Sequence, residues 1–252
     1  MDYNKALFEM YKEHWPRLRK ALDLKGVNTI QEKISYPLLI HVFPEYQEMK
    51  IKLFIVGQQT KGWGWNGVAD YLGTSKWDDF VEKLDDDNSV EQFVKELTKI
   101  YMGFHLGEKY YRSSFWRSSH KLFRGLNPSG PEYGFLWSNL VKVDQHQKRP
   151  RSFIEEIVFN LFPVIPLEIE IARPDVVVFF TGPYYDQRLT QTFNRLGFDK
   201  IEGYDEETLS RLTHNGLPKN SFRTYHPNWF IRSGKSRELD KVFSKISELA
   251  KI

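Results

Sequence analysis

From residue 3 to residue 24 apolar side chains recur at helical spacing, with Leu7, Met10, Tyr11, Trp15, Leu18 and Leu22 on one face. The pattern predicts an amphipathic helix, with Gly26 and Asn28 as its stop. A second helical stretch is expected over about 30–49, interrupted at Pro37 and Pro44. Residues 51–56 (Ile-Lys-Leu-Phe-Ile-Val) are almost continuously apolar and end at Gly57, which suits a strand buried on both faces. Residues 135–140, 175–180 and 221–225 read as three further strands. Helices are expected between them, over 89–105 with Ser89 as N-cap, 114–124, 152–172 with breaks at Pro163 and Pro166, 184–196 and 236–251. Strands alternating with helices predict a three-layer α/β/α fold around a mostly parallel, four-stranded sheet. No internal repeat, low-complexity tract or long linker divides the 252 residues. The chain therefore reads as a single domain, 1–252, with an N-terminal helical extension at about 1–50.

Composition narrows the chemistry. There is no cysteine, which removes disulfides, thiolate nucleophiles, zinc ribbons and iron–sulfur clusters together. No apolar run approaches the roughly 18 residues of a membrane span. The first residues lack the apolar core of a signal peptide, so a cytoplasmic protein is expected. The net charge of +3 names no partner, but its distribution is uneven. Residues 78–96 carry eight acids against two lysines, whereas 109–124 and 219–237 each carry five basic residues and no acid. Tyr110, Tyr111, Phe115, Trp116 and Phe123 interleave with the first basic run. Cations that hold phosphates beside rings that stack on bases suit nucleic acid; taken alone, a solvated helix face over core aromatics is the simpler reading. Aromatic residues make up 15% of the chain, and composition does not divide them between core and binding surface.

Ligands of open parallel sheets sit at the carboxyl ends of the strands. After the first strand comes Gly57-Gln58-Gln59-Thr60-Lys61-Gly62-Trp63-Gly64-Trp65: glycines for close approach, amides for hydrogen bonds, two indoles for stacking. The second strand carries Asn139, followed by Lys142 and Asp144. The third ends at Gly182-Pro183-Tyr184-Tyr185-Asp186 and the fourth at His226-Pro227-Asn228-Trp229. Each segment alone is weak, since a Gly-Gln-Gln turn can simply join strand to helix, Asn139 can be a capping amide, and most single histidines are structural. Their order along the chain is the stronger signal.

In that order the chain resembles the uracil-DNA glycosylase superfamily. Phe54-Ile55-Val56-Gly57-Gln58-Gln59 is similar to the family's first motif, Leu136-Trp137-Ser138-Asn139-Leu140 to its middle strand, and His226-Pro227-Asn228 to its late His-Pro-Ser loop. The segment 172–182 resembles the family's third strand and its glycine. The likeness runs from about residue 51 to 251 on short motifs. It implies base excision: a base flipped from DNA and hydrolysis of its N-glycosidic bond. On this reading Asn139 reads the pyrimidine edge, Trp63 and Trp65 stack on the base, and His226 stabilises charge on the leaving base. Gly57, Gln58 and Asn228 line the pocket, and Arg223, Arg232 and Lys235 grip phosphates. The resemblance implies DNA, single- or double-stranded, as partner, no cofactor or metal, no membrane, and a monomer.

Three departures stand out. Gln59 occupies the position where the family carries Asp or Asn to activate water, and an amide is no general base. Thr60 replaces the usual proline, and Asn228 the usual serine. Asp144 is the foremost substitute carboxylate, ahead of Asp70 and Asp186, although a solvated loop residue is the slightly favoured reading. A non-catalytic member of the fold that binds nucleic acid or a nucleobase is the alternative. A different hydrolase or nuclease is the third possibility, but the chain has no acid-X-Lys triplet after Pro174-Asp175, no nucleophile elbow, no zincin helix, no phosphate loop and no dinucleotide fingerprint.

Overall fold

A computed structural model describes residues 2–24, 34–63, 87–105 and 113–250. Helix α1 spans Tyr3–Leu24 and α2 Pro44–Gln47. Strand β1 spans Leu53–Gln59, followed by α3 (Asp87–His105), α4 (Ser114–Leu126), β2 (Phe135–Val141), α5 (Ser152–Leu161) and α6 (Val164–Ala172). Then come β3 (Val176–Phe179), a 3-10 turn (Pro183–Tyr185), α7 (Asp186–Thr192), β4 (Gly197–Lys200), β5 (Leu209–Thr213), β6 (Asn220–Thr224), α8 (Pro227–Arg232) and α9 (Ser236–Leu249).

The sheet has six strands in the order β2-β1-β3-β6-β5-β4, not the four expected. It is mixed but mostly parallel and is flanked by helices. Strand β3 pairs in parallel with β1 (Val176 opposite Leu53) and with β6 (Phe179 opposite Arg223). Strand β5 runs antiparallel to β6, and β4 antiparallel to β5. Of the overlooked pair, β4 is the edge strand: it is four residues long, half-exposed to exposed, and ends in Asp199 and Lys200, so it lacks the apolar run that marks a central strand. Strand β5, Leu-Ser-Arg-Leu-Thr, lies inside it and is mostly buried, but has no continuous apolar run either.

The central strands form as expected because every position of β2, β3 and β6 is buried, and β3, Val-Val-Val-Phe, is wholly β-branched or aromatic. Their N-terminal ends are fixed by side chains. Asp175 Oδ2 accepts from the Lys52 amide (2.8 Å), and Asn127 makes both hydrogen bonds to the Ile51 backbone (3.2 and 2.9 Å). Pro163 separates α5 from α6, where one broken helix was expected. Over the described part of the expected 30–49 helix only Pro44–Gln47 is helical; Pro37 removes an amide donor and disfavours helical backbone before it.

The chain divides into two compact units. The first comprises Met1–His41, Gln59–Phe104 and Val141–Ile171, the second Val42–Gln58, His105–Leu140 and Ala172–Ile252. In the first unit α1 packs against α5, and the six apolar positions read from its sequence are all buried. Behind that face lies a buried polar triad. Glu168 Oε1 accepts from Tyr11 Oη (2.5 Å) and Lys142 Nζ (2.5 Å), and Tyr11 Oη accepts from the Ile40 amide (3.0 Å). Burial pushes the Lys142 ammonium down and, together with the charge of Glu168, the Tyr11 hydroxyl well up. The second unit holds the helices α4, α8 and α9, which pack on one another.

Candidate functional site

The second unit assembles the ends of β1, β3 and β6 with the start of α4. Ser113 caps α4, its hydroxyl accepting from the Trp116 amide (3.1 Å), and so sets Phe115 at the first turn. The Phe115 ring stacks on the His226 imidazole, centroids 5.9 Å apart at 22°, and meets Trp137 and Phe180 edge-on. Phe115 thus forms a wall between β2 and the loop after β6. The sequence flagged it only as one ring in a basic run; the missed signal is its place two residues after the capping Ser113.

Asn139, on β2, reaches over the backbone of Gly57 so closely that a β-carbon there would stand 2.4 Å from Asn139 Oδ1 and 3.3 Å from Phe115 Cε2. Gly57 is required for that approach. Asn139 is 8% exposed, and among the described residues no hydrogen bond reaches its side-chain amide. Its oxygen and nitrogen keep some contact with solvent, so the amide is open to an incoming partner. It is matched to a ligand carrying one acceptor and one donor on adjacent atoms.

His226 caps α8, its Nδ1 accepting from the Asn228 amide (3.1 Å). Nδ1 is therefore the acceptor, and the proton of the neutral ring sits on Nε2. Burial pushes the imidazole down from 6.5 to about 4, so the ring is uncharged at neutral pH. The result is a neutral N–H donor beside an aromatic wall. Gly182, with φ 69°, lets the loop after β3 pass close to the Tyr225 ring, where a β-carbon would stand 3.2 Å from Cδ1. Tyr225 in turn stacks on Trp229, 3.8 Å apart at 10°, and its hydroxyl donates to Glu207 (3.0 Å).

The remaining expected residues divide. Gln58 is half-buried and its Nε2 donates to the Thr181 carbonyl (2.8 Å), stitching the end of β1 to the end of β3; its carbonyl oxygen and second N–H are left for a ligand. Asn228 and Arg232 are exposed on α8. Lys235 lies over the Trp229 ring (5.1 Å) and pairs with Glu238 (3.5 Å). Arg223 was expected to grip phosphate, but at 2% exposure its guanidinium faces inward. It donates to the carbonyls of Glu206 (2.9 Å) and Glu207 (2.6 Å) and to Asp186 Oδ2 (2.8 Å). Those bonds fasten the segment before β5 to β6 and occupy the charge. Asp186, weighed as a spare carboxylate, is thereby engaged as well.

Gln59, Trp63 and Asp144 belong to the first unit. Gln59 is half-buried at the last position of β1. Asp144 is fully buried, and its carboxylate is enclosed by donors. Oδ2 accepts from Thr60 Oγ1 (2.8 Å) and the amides of Gly62 (2.7 Å) and Trp63 (3.3 Å), while Oδ1 accepts from the Gln147 amide (3.0 Å). It organises loops rather than lying in solvent. Trp63, expected to stack on a base, is 7% exposed and meets Phe104 edge-on (5.2 Å), so its ring is a packing residue. Trp65, Asp70, Tyr110, Tyr111 and the acidic residues 78–86 lie outside the described residues. Among the described residues no group of three His, Asp or Glu side chains forms a metal site. No helix there is long and apolar enough to cross a membrane.

No family model matches the chain, and no curated protein matches it.

Proposed function

We propose that the chain is a uracil-DNA glycosylase-like protein that takes a base flipped out of DNA into the pocket formed by Gly57, Asn139, Phe115 and His226. The observation that carries this reading is the Asn139 amide, 8% exposed and without a hydrogen bond among the described residues. Its N–H₂ and C=O complement the carbonyl and imide N–H of a pyrimidine such as uracil. Phe115 supplies an apolar wall, and Nε2–H of the neutral His226 is a donor for the oxygen on which negative charge grows as the bond from C1′ to the base breaks. The base leaves with the bonding electron pair, and water adds to C1′ and gives up a proton. Arg232, at the end of the helix that His226 caps, and Lys235, just beyond it, suit the flanking phosphates.

A second reading is favoured by one observation. Asp144, the carboxylate considered for activating water, is saturated by hydrogen bonds from Thr60, Gly62, Trp63 and Gln147, and Gln59 is an amide. Binding of a base without hydrolysis needs neither.

Incubating the protein with single strands and duplexes that contain deoxyuridine or other altered bases, then assaying abasic sites, separates the readings. Base release that falls by most of its rate in His226→Ala and Asn139→Ala supports hydrolysis. Salt-dependent DNA binding without release supports the second reading. Neither release nor binding sinks both.

A further inference from the structure

The segment after β2 folds into a two-residue hairpin turn that the pocket does not use. The Gln145 amide donates to Lys148 O (3.0 Å), and the Lys148 amide returns to Gln145 O (2.9 Å). Its two central residues, His146 and Gln147, have φ of 51° and 60°. Left-handed backbone costs a residue with a side chain roughly 1–2 kcal/mol, and such turns ordinarily use Asn-Gly. Here the strain is held by Asp144, whose Oδ1 accepts from the Gln147 amide while its Oδ2 accepts from the loop 60–63. Gln145 Oε1 adds a bond from the Arg151 amide (3.1 Å). One buried carboxylate therefore knits two surface loops of the first unit into a single body.

The side chains this body exposes are Lys61, His146, Gln147, Lys148, Arg149 and Arg151. Of the three acids between 144 and 156, Asp144 and Glu155 are buried and only Glu156 is exposed. Glu155 is held by both Nε and Nη2 of Arg149 (2.9 Å each). Lys61 and Lys148 have no ion-pair partner among the described residues. Arg151 lies 4.9 Å from the centroid of the Phe153 ring, which is 41% exposed. The surface is thus cationic, mounted on a fixed backbone, and edged by one accessible ring.

We infer that this face binds the phosphate backbone of a nucleic acid, with Lys61 and Lys148 as phosphate contacts. It rests on the pocket reading only in taking DNA as the polyanion. A backbone held in place by hydrogen bonds presents both charges with little ordering cost on binding, and neutralised phosphates release counterions, which makes the contacts countable.

The test measures binding of a short DNA duplex and of the matching single strand by fluorescence anisotropy over a range of salt, for the wild type and for Lys61→Gln/Lys148→Gln. Each lost contact lowers the slope of log K against log salt by about 0.9 on duplex and about 0.7 on single strand. The expected drop is therefore about 1.8 or about 1.4, with affinity weaker by roughly tenfold or more at low salt. Both side chains are exposed, so the variant should melt with the wild type. An unchanged slope and affinity in the variant overturns the proposal, as does a wild type that shows no salt-dependent binding. Titration with free uracil, followed at the His226 imidazole by nuclear magnetic resonance, reports on the pocket alone and keeps the two failures apart.

Discussion

The carboxamide oxygen of Asn139 lies 2.4 Å from the point where residue 57 would carry a β-carbon. Substituting Gly57→Ala therefore forces Asn139 or the Phe115 ring to move. The expected outcome is a loss of about 1–3 kcal/mol in chemical denaturation and weakened binding of a uracil-containing strand. Asn139→Ala removes the amide and leaves Gly57 uncrowded, so it should lose the same binding without the overpacking cost. Denaturation and anisotropy on the two variants side by side check the contrast.

Asp144→Ala separates two roles for one carboxylate. Its four hydrogen bonds leave buried donors behind when it is removed, so a destabilisation of about 3 kcal/mol or more is expected. Susceptibility to proteolysis within 60–63 and 144–148 should rise. A catalytic base without structural duty would instead lose activity at unchanged melting temperature, which the same variant would reveal.

The pH dependence of stability carries a sign that follows from His226. Its folded value, about 4, lies below its ordinary value of 6.5. Between those values the unfolded chain binds a proton that the folded chain refuses. Stability from this group is complete above about pH 6.5 and is lost as pH falls toward 4. Burial lowers His41 and His120 in the same direction, so they add to the slope. Denaturation at a series of pH values should show a shallower dependence in His226→Gln than in the wild type.

The buried triad of the first unit gives a fourth expectation. Lys142→Met removes the ammonium 2.5 Å from the buried Glu168 carboxylate and should cost about 3–5 kcal/mol. Lys142→Met combined with Glu168→Leu removes both charges and should recover much of that loss, although Tyr11 then gives up its acceptor. Denaturation of the two variants measures the difference.

Much of this architecture is legible in the residues themselves. The helical face of α1 and the runs that become β1, β2 and β3 are strongly periodic or largely apolar, and burial against the core is what forms them; β6 carries a weaker pattern. Strand β4 escapes because an edge strand needs little apolar surface, and Asp199 and Lys200 are the residues such an edge favours; β5 escapes because Ser210 and Arg211 interrupt its apolar positions. At the site, Gly57, Asn139 and His226 emerge from their positions at strand ends. What is not legible is which side a side chain takes. Arg223 reads as surface cation from its basic neighbours, yet β6 is buried at every position and the Arg223 guanidinium donates to the carbonyls of Glu206 and Glu207. Trp63 reads as a stacking ring from its loop, yet its amide is bound to Asp144 and its ring is packed. Phe115 reaches the site through the packing of α4, and the only local hint of its place is the capping Ser113 two residues before it.

The most direct measurement follows the Asn139 side-chain amide and the His226 Nε2–H by nuclear magnetic resonance while a deoxyuridine-containing strand is added. The predicted result is that both signals shift together and saturate at one concentration, with no such shift when an undamaged strand of the same length is bound. Binding of the deoxyuridine strand that leaves both signals where they were would contradict the pocket as the seat of base recognition.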